Sequence, residues 1–262
     1  MVGQPHRNFM KMASWSSVSE HLVNPIGMSD QLKWNNHVTE GLLDLPVLYC
    51  DIHEYPDYIA LYSQPSDYHK TMNTAVSFYD YDNKFDGPKG LYQAIYYNDV
   101  KRLNEFKDRF KDVKYFISPD YSVCGDVHNY RNYHRLGRAR EVAIWLTTEC
   151  NAMTIPNISY ANERDLIYIT DGLKNVSIVA FSTKGKINDK IDYDLLTKAV
   201  KKVVDDLPKL KAIIVYDVTV NNKQSNLIFS YAKSKGINVI IPNNMLKNRN
   251  IICSQQNTNE YA

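Results

Sequence analysis

The sequence predicts an α/β fold built on a mainly parallel sheet with crossover helices. Three observations carry that reading. Short aromatic or β-branched runs alternate with stretches of helical period through the middle of the chain. The runs at 212–216 and 237–241 are continuously apolar, as strands buried on both faces are. The links between these elements are short, and strand–helix–strand order with short links implies parallel pairing through right-handed crossovers.

Residues 1–40 mix Gly, Pro, Ser and His without a sustained period and read as an N-terminal arm with room for one short helix. Segments 58–62 and 76–81 carry the aromatic and β-branched residues that strands favour. Asp99 is placed to cap a helix in which Val100, Leu103, Phe106 and Phe110 recur at helical spacing. A strand at 114–117 follows and ends at Ser118-Pro119. A long helix is expected over about 129–150, where Tyr133, Leu136, Ala139, Ala143, Leu146 and Cys150 share one face. Strands are expected at 153–158 and 176–181. Leu195, Leu196, Ala199, Val200, Val203 and Val204 make an amphipathic stripe that stops at Pro208. After the 212–216 strand, Asn222 is placed to cap a helix carrying Leu227, Ile228, Tyr231 and Ala232. Gly236 sits where a left-handed cap is wanted. Residues 246–262, rich in Asn and Gln, read as a flexible polar tail, which leaves 41–245 as a single α/β domain.

With roughly seven or eight strand signals, the sheet can close into a barrel or stay open. The links around 161–165 and 170–175 are too short for crossover helices. An incomplete or distorted TIM-like barrel is therefore the first expectation, and an open doubly wound sheet the second.

Composition limits the function classes. A hydrophobic fraction of 44% and a charged fraction of 23% over 262 residues describe an ordinary globular chain that buries a core without staples. A net charge of +2 advertises no global basic field, so any anion site has to be local. Cys50, Cys124, Cys150 and Cys253 form no CxxC pair, which argues against a zinc knuckle and a disulfide framework and suits a reducing compartment. No secretory pattern opens the chain, and no apolar run approaches the roughly 18 residues of a membrane span. A cytoplasmic protein without a membrane partner is expected. The 20 tyrosines suit half-buried surfaces, interfaces and base stacking, although a coding bias that also favours Lys, Asn and Ile would produce them.

A likeness runs through Ile117-Ser118-Pro119-Asp120-Tyr121-Ser122, Arg131-Asn132-Tyr133, Arg135-Leu136-Gly137, Ile155-Pro156-Asn157 and Asp171-Gly172-Leu173. It continues in Val179-Ala180-Phe181-Ser182-Thr183-Lys184-Gly185 and Ile213-Ile214-Val215-Tyr216. Together these resemble a family found in phages and bacterial mobile elements, the domain of unknown function 4417. Two positions depart from the family's habit: Tyr160 stands where Trp is usual, and Asp217 where Gly is. The resemblance implies a phage or mobile-element origin, hence a bacterial host cytoplasm, and it implies no chemistry.

Ligands of parallel α/β folds gather at the carboxyl ends of the strands. Asp80 and Asp82, Asp120 and Ser122, Asn157, and Asp217 are all expected there, with Tyr121 and Tyr160 beside them. Converging carboxylates would suit a hard cation such as Mg²⁺, held by Asp80 and Asp120, with Asp120 and Asp217 as catalytic carboxylates. The competing account is that Asp and Asn at strand ends make turns and caps. A second set is basic. His128, Arg131, Arg135 and Arg138 fall at helical spacing, and arginines at the edge of a buried face can bind phosphate. Tyr130 and Tyr133 interleave with them as a stacking platform would. Pairing with neighbouring acids on a solvated face is the alternative. Ser182-Thr183-Lys184-Gly185 lacks Walker spacing but could hold a phosphate or be a plain strand exit. Gly87-Pro88-Lys89-Gly90 reads as a turn, and Cys124 with His128 as an inert thiol and its neighbour.

These readings favour an accessory protein that binds a phosphate-bearing ligand, either nucleic acid or nucleotide. A metal-dependent phosphodiesterase or nuclease is its enzymatic form. The alternative class is a non-catalytic protein-binding factor acting on host or defence machinery or in phage assembly, with a host or phage protein as partner.

Overall fold

The structure is a computed structural model that describes residues 38–259. All but the last residues of the expected N-terminal arm lie outside the described residues. Thr39–Glu40 (β1) already belongs to the fold, pairing antiparallel with Leu45–Pro46 (β2). The hairpin turns at Gly41, where φ is +88° and an added Cβ would stand 2.0 Å from the Asp171 carboxyl carbon.

The remaining strands are parallel. Tyr58–Leu61 (β3), Thr74–Ser77 (β4), Tyr115–Ile117 (β5) and Met153–Ile155 (β6) lie side by side in chain order. Ile178–Ser182 (β7), Ala212–Tyr216 (β8) and Asn238–Ile240 (β9) form a second run. Two connections join the runs. Asn157 bridges Ala180 between β6 and β7, and Asn243–Asn244 (β10) pairs with β3. Since β9 and β10 are the two halves of one last stretch of chain, broken at Ile241-Pro242, the strands follow one another round a ring. The ring matches the distorted barrel rather than the open sheet. Its irregularity lies between β6 and β7. At the amino end the segment around Cys50 wedges in, Cys50 bridging Val176 and accepting the Ser177 N–H at 2.8 Å.

Crossover helices cover the outside. Asp82–Phe85 (α1), Leu91–Tyr96 (α2) and Val100–Arg109 (α3) lie between β4 and β5. Asn129–Glu149 (α4) joins β5 to β6, and Lys190–Asp206 (α5) joins β7 to β8. Lys223–Ile228 (α6) and Ser230–Ser234 (α7) lead to β9. The β6–β7 link holds only a 3₁₀ turn, Glu163–Ile167, as its length demanded. Asp99 caps α3 by accepting the Arg102 N–H. The period-2 alternation sorts the strand residues into two cores. Tyr58, Ala60, Val76, Phe78 and Phe116 pack outward under α2, α3 and α4, while Ile59, Leu61, Ala75, Tyr79, Ile117 and Ile155 join the other cluster.

Three expectations change. The second strand starts at Thr74, two residues before the aromatic run suggested, because the Thr74 hydroxyl bonds Thr71 and turns the chain into the ladder. The helix after Asn222 is two short helices that meet at the buried Phe229, and the Asn222 carboxamide accepts Lys247 Nζ (2.7 Å) instead of capping. The polar tail is a helix, Met245–Asn259 (α8). It starts on Asn244, whose Oδ1 accepts the Lys247 N–H (2.9 Å) and whose Nδ2 donates to the Asp217 carbonyl (2.9 Å). Among the described residues no helix is long and apolar enough to cross a membrane.

Candidate functional site

The carboxyl ends of β4 to β8 carry a continuous polar network around Asn157. Pro119 offers no N–H to extend the β5 ladder, so the chain leaves the sheet and Asp120 turns toward β6. Ser118, the last residue before it, accepts the Asn157 backbone N–H on its hydroxyl (2.8 Å). The Asn157 carboxamide is fully engaged. Its Oδ1 accepts the Tyr79 hydroxyl (2.7 Å), and its Nδ2 donates to Asp120 Oδ1 and to Ser159 Oγ (both 2.8 Å). The Ser159 hydroxyl in turn donates to Asp120 Oδ1 (2.9 Å). Across the ring Tyr79 stacks on Tyr216, with ring centroids 4.8 Å apart.

Two cations reach this network from the loop after β7. Lys186 lies 4.4 Å above the Tyr160 ring, and Lys184 Nζ donates to the Tyr79 carbonyl (3.4 Å) beside the Tyr81 ring. Gly185, at φ +79°, lets the loop fold back so that both lysines face the same end. Burial pushes the Asp120 carboxyl above the usual carboxylate range, while Lys186, Ser159 and Asn157 pull the other way. Burial also pushes the Lys186 ammonium down, opposed by Asp120 and Asp192. Burial pushes the Tyr79, Tyr160 and Tyr216 hydroxyls up. Among the described residues the buried hydroxyls of Tyr160 and Tyr216 have no hydrogen-bond partner.

The structure thus brings Asp120, Asn157 and Tyr160 together and adds Tyr79, Ser159, Lys186 and Tyr216. The sequence offered weak signals for these additions: Lys186 is two residues beyond Lys184, and Ser159 two beyond Asn157. Other candidates fall elsewhere. Asp217 is wholly buried, but its carboxylate accepts Ser225 Oγ (2.6 Å) and the Thr219 N–H (2.8 Å), which tie the β8 exit to α6. Its carboxylate makes a local turn with Thr219 and a brace to Ser225, and it shares no hydrogen-bond partner with Asp120 among the described residues. Asp80 accepts Ser63 N and Oγ (3.0 and 3.1 Å). The carboxylate that acts on Asp120 belongs to Asp82, which holds Ser122 N and Oγ. Asp80 is thus held by Ser63, while Asp82 is the carboxylate whose charge is felt at Asp120. Among the described residues no group of three or more His, Cys, Asp or Glu converges.

The arginines do not join the network. Arg138 pairs with Asp86 and lies between the rings of Tyr92 (4.3 Å) and Tyr121 (4.4 Å). Tyr121 is 3% exposed and belongs to that packing. Arg131 is exposed, bonded to the Tyr130 hydroxyl at the tip of α4, where Tyr130 stacks on His128. Arg135 Nη1 approaches Asn132 Oδ1 (3.5 Å), and Asn132 holds both backbone groups of Cys124. The arginine stripe sits on the outer helix, one layer removed from the strand ends.

Comparison with curated proteins found no match. Residues 38–234 match the family described as domain of unknown function (DUF4417). That span holds all the strands that bear the Asn157 network, and the chain belongs to this family.

Proposed function

We propose that the protein binds a phosphate-bearing ligand, a nucleotide or the end of a nucleic-acid strand, at the carboxyl mouth of the ring. Lys184 and Lys186 replace the arginines as the phosphate contacts. The observation that carries this reading is Lys186, a desolvated cation with no carboxylate within ion-pair distance among the described residues. An arriving phosphate would complete its pairing. Tyr81, exposed beside Lys184, offers a base a face to stack on. The orphaned Tyr160 hydroxyl offers a donor. Opposed shifts of Asp120 and Lys186 also suit proton transfer, so hydrolysis of a phosphoester is the enzymatic form of the same reading. The phage or mobile-element setting belongs to this proposal too.

The test is isothermal titration with ATP, GMP and a short single-stranded oligonucleotide, each with and without Mg²⁺. At least one of them is expected to bind with a Kd that weakens about tenfold or more in Lys186→Met, the loss of one charge-assisted contact. No heat from any ligand, or equal binding by the variant, overturns the reading. A second reading, docking of a protein partner, is favoured by the α4 tip, where Tyr130 is 64% exposed beside Arg131 and His128. Loss of a pulled-down partner in Tyr130→Ala, with nucleotide binding absent, would move the assignment there.

A further inference from the structure

Arg140, on the inner side of α4, is 7% exposed. Among the described residues its guanidinium makes one hydrogen bond, from Nη2 to the Asp171 carbonyl at 3.1 Å, although the group carries five N–H donors. No carboxylate lies within ion-pair distance of it among the described residues. That of Asp171 acts only at longer range and accepts the Leu43 N–H (2.9 Å). Burial lowers the pKa of Arg140 to about 10, with Asp171 opposing the shift. A buried charge left this incompletely paired is costly unless something else completes it.

Arg140 lines a cavity of about 20 Å³ together with Ser118, Asn157, Ser159 and Tyr168. The volume suits one water-sized occupant. The donors that face it can be counted. The Asn157 amide and Ser159 hydroxyl are committed to Asp120, and the Tyr168 hydroxyl is committed to Asp165. Ser118 Oγ accepts the Asn157 N–H, which leaves its own proton to give. Arg140 and Ser118 are therefore the free donors, and no carboxylate lines the space. A site made of one cation, one hydroxyl proton and no acceptor of negative charge is matched to an anion.

We propose that this cavity is a small-anion site, taking a halide ion or one oxygen of a compact oxyanion such as formate or inorganic phosphate, with no room beside it for a longer chain. It is distinct from the Lys186 mouth, since neither Lys184 nor Lys186 lines it. Because those two side chains border both places, an anion on Arg140 would also brace the residues that hold Asp120.

The experiment is thermal unfolding of the whole chain at constant ionic strength, replacing gluconate, too bulky for the cavity, by chloride, formate or inorganic phosphate. At about ten times its Kd, a small anion is expected to raise Tm by about 3–6 °C. Arg140→Met keeps the aliphatic stem and should abolish that rise, whereas Lys186→Met should preserve it. Chloride alone would mark a halide site, and formate or phosphate an oxyanion site; each supports the proposal. No rise in the wild type, or a rise that survives Arg140→Met, overturns it. A rise lost in Lys186→Met but kept in Arg140→Met places the anion at the mouth and also overturns it. If Arg140→Met does not fold, ³⁵Cl line broadening by the wild-type chain against Arg140→Lys decides, with equal broadening counting against the site.

Discussion

Arg138 pairs with Asp86 between the rings of Tyr92 and Tyr121, and a pair placed there to hold the fold predicts a different response to substitution from a free phosphate contact. Its side chain is 13% exposed and that of its partner Asp86 is 18% exposed. Both are well shielded from water, so removing one partner strands the other. Breaking such a pair costs about 3–5 kcal/mol when fully buried, and the residual exposure argues for the lower end, about 3 kcal/mol. The rings of Tyr92 and Tyr121 add roughly 0.5–2 kcal/mol of cation–π attraction, which any neutral residue forfeits. Arg138→Met keeps the hydrocarbon stem between the rings. It is expected to lose about 3–4 kcal/mol, or about 6–16 °C in Tm at the usual scaling for a domain of this size. The double variant Asp86→Asn, Arg138→Met leaves no stranded charge and should recover most of that loss. A coupling of about 2–3 kcal/mol is expected in the double-mutant cycle. Urea unfolding followed by far-UV circular dichroism measures each corner. If Arg138→Met cost less than about 1 kcal/mol, or if the two substitutions were simply additive, the pair would not be holding α1 against α4 and Arg138 would return to the list of ligand contacts.

Other outcomes follow from the same geometry. The raised carboxyl of Asp120 means that the folded chain holds its proton more tightly than the unfolded chain does. Its contribution is full at low pH and is lost as pH rises through the folded value, so urea midpoints should move in favour of Asp120→Asn as pH rises above the ordinary carboxylate range. A pH-independent gap would deny the shift. The Tyr216 hydroxyl is buried without a partner, so Tyr216→Phe should keep or raise stability, by up to about 1 kcal/mol. A clear loss in chemical denaturation would reveal a bond that the folded protein makes. Asp217→Ala should cost about 2–4 kcal/mol by freeing the Thr219 N–H and the Ser225 hydroxyl in the interior, with nucleotide affinity unchanged in the variant that still folds. A selective loss of affinity would restore Asp217 to the site.

The elements with strong local signals were legible in the sequence. The Asp99 cap, the Leu196–Val203 stripe of α5 and the apolar run of β8 each carry their own periodicity, and each forms where expected. The misplaced elements are those whose boundaries depend on distant contacts. Nothing local in the Asn-rich end says that Asn244 will find the Asp217 carbonyl and start a helix, or that Lys247 will be buried on Asn222. The site divides in the same way. Asp120 and Asn157 could be found because they follow strand signals, and strand ends converge in this class of fold. For Lys186 the only local signal is its place two residues beyond Lys184, since its desolvation and the Tyr160 ring beneath it are tertiary facts. Arg138 misled because helical spacing reports only which face a residue occupies. Whether an acid from another element already holds it is a tertiary fact, and Asp86 is 52 residues away along the chain.

The last strand has a consequence for how the chain is made. β8 and β3 each wait for an edge partner that arrives only with residues 238–244, the last strand segment of the described residues. During synthesis every earlier element can be in place while both rims remain unpaired, open to pairing with another chain. The span that defines the family ends at residue 234, four residues before that strand begins. A fragment cut at the family boundary would keep the Asn157 network yet lack the segment that closes the ring, and aggregation through those rims is its expected fate.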